Sequence, residues 1–327
     1  MGIGDQTQGK SLLLTLTEPS RMDWRFKDRF GLSEKTLDCR QLAVNEVLKW
    51  KGETEPLRVF LNAFDCTHSG LKLRRSAPEL GAGWQLDMQQ ELDAERIRRK
   101  IIETFCREGY CLIYYQAYHA SFLKYWHAHD VEHWSLVIGC DEGGITLADE
   151  AGAPDFFRGH IGFVPWAVIF DSWQLMSAGG IATVTGGSDR GDWDIEFLSL
   201  VRQSVNHMRG GGLACLHSFV QAVSGAPLDE LIPSLEQLEF DIHYFRKLRE
   251  LWQLAVQQSV VPGRFMQPEW VEELFYVCKC WSLIMGVVMK WKRQPERDYR
   301  LKLVDYLHQT WRNEQRLFES MASLPGL

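Results

Sequence analysis

The chain has 327 residues, too many for one small domain and about right for two. Its 45% hydrophobic and 24% charged residues are ordinary globular values, and a net charge of −7 gives no general reason to bind nucleic acid. The N-terminus, MGIGDQTQGK, is polar, Gln6 stands where a myristoylation site needs Ser or Thr, and the longest apolar run, Trp281–Met289, is too short for a bilayer. Eight scattered cysteines with no CxxC pair point to free thiols and a reducing, cytoplasmic protein without a membrane partner.

In chain order, Leu42–Trp50 places Val44, Val47 and Leu48 at helical spacing, and Gly52 can end that helix. Ala94–Arg107 is a second helix, with Ile97, Ile101 and Phe105 on one side and Gly109 as its stop. Residues 111–118, CLIYYQAY, read as a buried strand. HWSLVIG and ITLAD, starting at His133 and Ile145, read as the arms of a hairpin, and Phe163–Phe170 as a strand or strand–helix junction. After residue 190 the period becomes helical. Five runs begin near Ile195, Leu213, Leu235, Glu269 and Leu301, each ended at Gly or Pro. The predicted fold class is therefore α+β, a mostly antiparallel sheet with helices, followed by an all-helical bundle. The boundary falls in the Gly-rich stretch Gly179–Gly191, giving domains 1–185 and 186–327.

The hairpin carries a His and two acids in reach of each other. A three-residue loop, Asp141–Gly143, would put Asp149 on the sheet face of His133; a four-residue loop would put Glu150 there instead. A carboxylate on one ring nitrogen fixes the tautomer and supports the imidazolium, the role of the acid in a nucleophile–base–acid set. The same residues also suit a structural histidine and a turn-capping acid. Among the thiols, Cys140, Cys215, Cys278 and Cys280 lie in apolar runs, and Cys106 and Cys111 flank a helix–strand turn. Cys66, in a polar segment beside His68, rivals Cys39 as a nucleophile. Cys39 opens a helix, where the dipole and the first-turn N–H groups favour a thiolate and could hold an oxyanion. Asp38 as a helix cap is the bland account of the same geometry. His119, His127 and His129 do not repeat a chelating spacing, so no metal is expected.

A Cys at a helix start, a later strand beginning with His and a hairpin partner ending in Asp resemble the papain-like layout, shared by the bacteriocin-processing leader peptidases. The segments DCRQLAVNEVLKWKG (38–52), CLIYYQAY (111–118), HWSLVIGCD (133–141) and ITLAD (145–149), with the helical tail, are more specifically similar to the butirosin biosynthesis protein H family. That resemblance implies a papain-like N-terminal domain and a helical C-terminal domain. It implies a cysteine acyltransferase that takes an acyl or peptidyl group from a carrier-protein thioester to a small-molecule amine in natural-product biosynthesis. Cys39 would be the nucleophile, His133 the base and Asp149 the orienting acid. No cofactor of its own is implied, only the phosphopantetheine arm of the donor. An acidic carrier would dock on basic residues: Arg96, Arg98, Arg99 and Lys100 form one group, Lys72, Arg74 and Arg75 a second, and Lys290, Lys292 and Arg293 a third. Gln116, Tyr114 and Tyr115 would face substrate or else the core. Tyr118, Tyr125, Trp126 and Trp134 are near enough in sequence to line a pocket, or to be core. The segment before Cys39 lacks the Gln that the leader peptidases use for the oxyanion, leaving Ser33 as the nearest polar residue. Gln116 stands where the family often has Asp. Two other functions fit the same features: a papain-like hydrolase (peptidase, amidase or thioesterase), or a non-catalytic binding protein of this fold.

Overall fold

The computed structural model describes residues 31–327 except 34, 78, 129, 150–159 and 188–190, so Gln6, His129 and Glu150 lie outside the described residues. Helices α1 (Cys39–Trp50) and α2 (Pro56–Phe60), a small hairpin of β1 (Thr67–Ser69) and β2 (Lys72–Arg74), and strand β3 (Trp84–Gln90) come first. Next are α3 (Ala94–Glu108), β4 (Cys111–Gln116), β5 (Glu132–Cys140), β6 (Gly144–Ala148), β7 (Gly162–Pro165), α4 (Trp166–Gln174) and β8 (Gly179–Gly186). The remainder is helical: α5 (Trp193–His207), α6 (Leu213–Gly225), α7 (Leu228–Gln257), α8 (Pro268–Arg293) and α9 (Arg300–Met321). This is a mixed α+β chain with antiparallel pairing and a helical C-terminal region. No helix among the described residues is long and apolar enough to cross a membrane.

Six strands form one sheet in the order β3-β8-β4-β5-β6-β7, with β8-β4, β4-β5, β5-β6 and β6-β7 antiparallel. The chain divides into two units. Among the described residues, the sheet unit comprises Cys39–Gly52 and Asp87–Val184. The helical unit comprises 31–38, Glu53–Leu86 and Thr185–Leu327.

In the sheet unit, Ile97, Ile101 and Phe105 of α3 bury one stripe against Ile113, Tyr115 and Val137 of the sheet. The ends of α3 follow local chemistry. The Asp93 carboxylate accepts the Arg96 N–H at 2.8 Å, and Gly109, at φ 77°, donates its N–H to Phe105 O. Gly52, at φ 84°, ends α1 in the same left-handed way.

Two Gly-rich stretches stand out. The expected boundary stretch contains strand β8, with Ala182 opposite Leu112 and Gly180 opposite Tyr114, and the two units divide within it, at Val184 and Thr185. A Cβ at Gly180 would stand 2.2 Å from the Gln89 carbonyl oxygen and 2.6 Å from the Tyr114 hydroxyl, so glycine here allows strands to pass closely. Gly210–Gly212 mark the break between α5 and α6, as expected: Gly211, at φ 163° and ψ −26°, leaves the helical conformation and the chain kinks there.

The helical unit buries Trp252, Trp270, Trp281 and Trp291. At its centre the fully buried Arg249 donates from Nε to Glu314 at 2.9 Å, and Trp281 Nε1–H donates to the same carboxylate oxygen at 2.8 Å. Its helices also hold the early segment. The Leu73 N–H donates to Asp241 at 2.8 Å, the Phe64 N–H to Ser204 Oγ at 3.0 Å, and Trp252 Nε1–H to Asn62 O at 2.9 Å.

Candidate active site

The hairpin register settles which acid meets His133. At the turn, Cys140 faces Ile145, so the loop has four residues, Asp141–Gly144. The Asp141 side chain closes it by accepting the Gly143 and Gly144 N–H groups at 2.7 and 3.0 Å. Three residues on, the register shifts: Val137 faces Leu147 while Gly139 faces Thr146, leaving Ile138 as a bulge. Beyond the bulge Leu136 faces Ala148, the pairing that a three-residue loop would have given. Both loop lengths therefore describe part of the hairpin, and the bulge delivers Asp149 to the face of Ser135 and His133.

The result is a buried chain of polar groups. His133 Nε2 lies 2.8 Å from Asp149 Oδ2. The same oxygen accepts from Ser135 Oγ at 2.8 Å and from the His160 N–H at 3.3 Å. Ser135 is in turn 2.6 Å from the Tyr115 hydroxyl. His133 and Asp149 are only 2% and 3% exposed, so water does not compete for these bonds. With Nε2 committed to Asp149, Nδ1 is the nitrogen left for the Cys39 thiol. Nδ1 makes no hydrogen bond of full geometry, yet Cys39 is near enough to raise the basicity of the ring. Packing fixes that approach. Arg40, next to Cys39, lies over the ring of Trp134, next to His133, at 5.9 Å, and Trp134 stacks on Tyr114 at 4.9 Å. The rings of Tyr115 and Tyr125 flank His133 at 5.8 and 5.9 Å.

Burial is the largest single influence on His133 and opposes its charge. The charge and hydrogen bond of Asp149, with Cys39 close beside the ring, outweigh it and raise the imidazole pKa to about 10. Burial, and then the Asp149 charge, push the Tyr115 hydroxyl well above its usual range, so it stays a neutral partner for Ser135. The rival thiol, Cys66, is 5% exposed in the helical unit. Burial pushes it up to about 12, with nearby Arg249 pulling the other way, which makes it an inert core thiol. All eight cysteines are free, and Cys39 is half-buried.

The structure thus brings Cys39, His133 and Asp149 together and disperses the other expected residues. Tyr115 is not open to a ligand: it is 1% exposed and supports Ser135 from the core. Tyr114 is buried against Trp134. Gln116 is half-buried, donating to Asp130 and accepting from Ser177 Oγ at 2.8 Å. Ser33 closes its own turn, its hydroxyl accepting the Lys35 N–H at 3.4 Å. On α3, Arg96 and Arg99 are exposed, whereas Arg98 lies over Trp166 at 5.5 Å and Lys100 pairs with Glu91 at 3.5 Å. The supporting roles of Ser135 and of the His160 N–H go beyond the sequence reading. Ser135 had a signal, since it sits two residues from His133 on one face of a strand. Among the described residues no three His, Cys, Asp or Glu side chains gather as a metal site.

No protein-family model matches the sequence, and no curated protein matches it.

Proposed function

We propose that the protein is a cysteine-dependent acyltransferase that moves an acyl or peptidyl group from a carrier-protein thioester to an amine. The observation that carries this reading is His133 held between a buried carboxylate and the thiol at the start of α1. In the resting pair the proton already sits on His133, an imidazolium held by the Asp149 carboxylate, and Cys39 reacts as the thiolate beside it. The thiolate attacks the donor carbonyl carbon. The bond to the donor sulfur breaks, and the departing thiolate takes the proton from His133. The acceptor amine then attacks the acyl-Cys39 thioester and gives its proton to His133; the bond to Cys39 Sγ breaks, releasing the amide and restoring the Cys39 thiolate beside the imidazolium. A thioester donor suits this site better than a peptide, because it is already activated. The two residues nearest to an oxyanion role in sequence, Ser33 and Gln116, are bonded elsewhere. The papain-like arrangement and the likeness to the butirosin biosynthesis protein H family support the same chemistry, and the helix α3 cations Arg96 and Arg99 suit an acidic carrier.

The test supplies a carrier-bound or short-chain acyl thioester and reads Cys39 by intact mass and peptide mapping. An acyl adduct on Cys39 that an added amine discharges at least about ten times faster than water supports the transferase. Discharge at the same rate with and without amine makes the protein a thiol hydrolase. No adduct on Cys39 with any thioester overturns the proposal.

A further inference from the structure

Residues 117–128 form an aromatic lip beside the catalytic histidine that the mechanism above does not use. Its base is fixed in the core: Ala117, Ala120, Leu123 and Tyr125 are buried, and the Tyr125 ring packs on His133. Its rim is open, with Trp126 50% and Tyr118 37% exposed. Between these two rings His127 lies 4.6 Å from Trp126 and 5.2 Å from Tyr118, at interplanar angles of 36° and 30°. His127 holds a left-handed backbone, φ 56°, which residues with a side chain adopt uncommonly. Its N–H donates to the Tyr118 carbonyl at 3.0 Å, which closes the lip. Three rings are thus fixed in a tilted stack one residue from a side chain that touches His133. An anchored segment that leaves a Trp and a Tyr in solvent is the pattern of a binding surface rather than of core packing.

The charges select the occupant. Residues 117–128 contain Lys124, His119 and His127 but no Asp or Glu, and Asp130 lies at the base of the segment, bonded to Gln116. Within residues 117–128 a cationic amine finds no carboxylate. We propose that the Tyr118–His127–Trp126 lip binds an aromatic side chain or ring on the acyl group, so that the site prefers aryl or arylalkyl donors over short aliphatic ones. This deepens the acyl-transfer reading and rests on it.

The test compares alkylation of Cys39 by iodoacetamide and by N-benzyl iodoacetamide, each followed by peptide mapping over a range of reagent concentrations. The expected result is saturation with the benzyl reagent alone. Trp126→Ala and Tyr118→Ala should each lower the benzyl-to-small rate ratio by about 3- to 10-fold, the size of one lost ring contact. Leu175→Ala, an exposed apolar residue at the end of α4, should leave the ratio unchanged. A wild-type ratio near one without saturation, or a ratio within twofold of wild type in both lip variants, overturns the lip. Inertness of Cys39 to both reagents overturns the acyl-transfer reading itself, and the lip with it.

Discussion

At the scale of single residues the account depends on the carboxylate behind His133. The imidazole is raised to about 10 in the folded chain from about 6.5 when exposed. A raised histidine pKa stabilises the fold fully below about pH 6.5, and that contribution is lost as pH rises toward 10. The difference in unfolding free energy between the wild type and His133→Gln should therefore shrink across that window, as measured by urea denaturation at stepped pH. A constant difference would contradict it. Nitrogen-15 shifts of His133 should show the proton retained past pH 8 in the wild type and lost at lower pH in Asp149→Asn. Ser135→Ala removes one of the three donors to Asp149 Oδ2 and leaves the Tyr115 hydroxyl buried without that partner. It should cost about 1–3 kcal/mol of stability and slow Cys39 acylation less than Asp149→Asn does. The three principal residues were legible in the sequence because each has a local signature: a thiol at a helix start, a histidine at a strand start, an acid at a strand end. Tyr115 was legible as a residue but not in its role, since its burial depends on α3 packing over that face of the sheet.

At the scale of elements, helix ends were readable because their determinants are local. Gly52 and Gly109 stop α1 and α3 where the left-handed backbone demands them. The hairpin register was not decidable from sequence, because a bulge at Ile138 combines two registers in one ladder. Strand β8 was hidden for another reason: paired glycines read only as a domain boundary, and the passage of Gln89 and Tyr114 explains them. Gly180→Ala would force a Cβ against the Gln89 carbonyl and should lower stability by about 1–3 kcal/mol, seen as a lower urea midpoint at unchanged slope. Charge reversal of Arg96 and Arg99 on α3 should raise KM for a carrier-bound donor several-fold and lessen its salt dependence. A short thioester without a carrier should be unaffected. Equal effects on both donors would remove α3 as the docking surface.

At the scale of the whole chain, neither unit is a continuous stretch. The helical unit takes up Glu53–Leu86, whose backbone is tied to Asp241, Ser204 and Trp252. A division at residue 185 follows the change of period but would strip this segment of those partners. A chain ending at 185 should be cut rapidly by protease within 53–86, while the full chain resists there. Within the helical unit, Arg249→Met would strand the buried Glu314 carboxylate and should cost about 3–5 kcal/mol; Arg249→Met with Glu314→Leu should recover most of that loss. Such long-range assembly leaves no mark on sequence periodicity. The candidate site depends on it too, since the thiol is 94 residues before the base and 110 before the acid (133 − 39 and 149 − 39). The most direct measurement is the rate of Cys39 alkylation by a low dose of iodoacetamide at pH 6.5, mapped by peptide, in the wild type, His133→Ala and Asp149→Asn. The account predicts that Cys39 labels first among the eight thiols and slows by about tenfold or more in both variants. Equal rates in all three proteins, or labelling that falls mainly on Cys66, would contradict it.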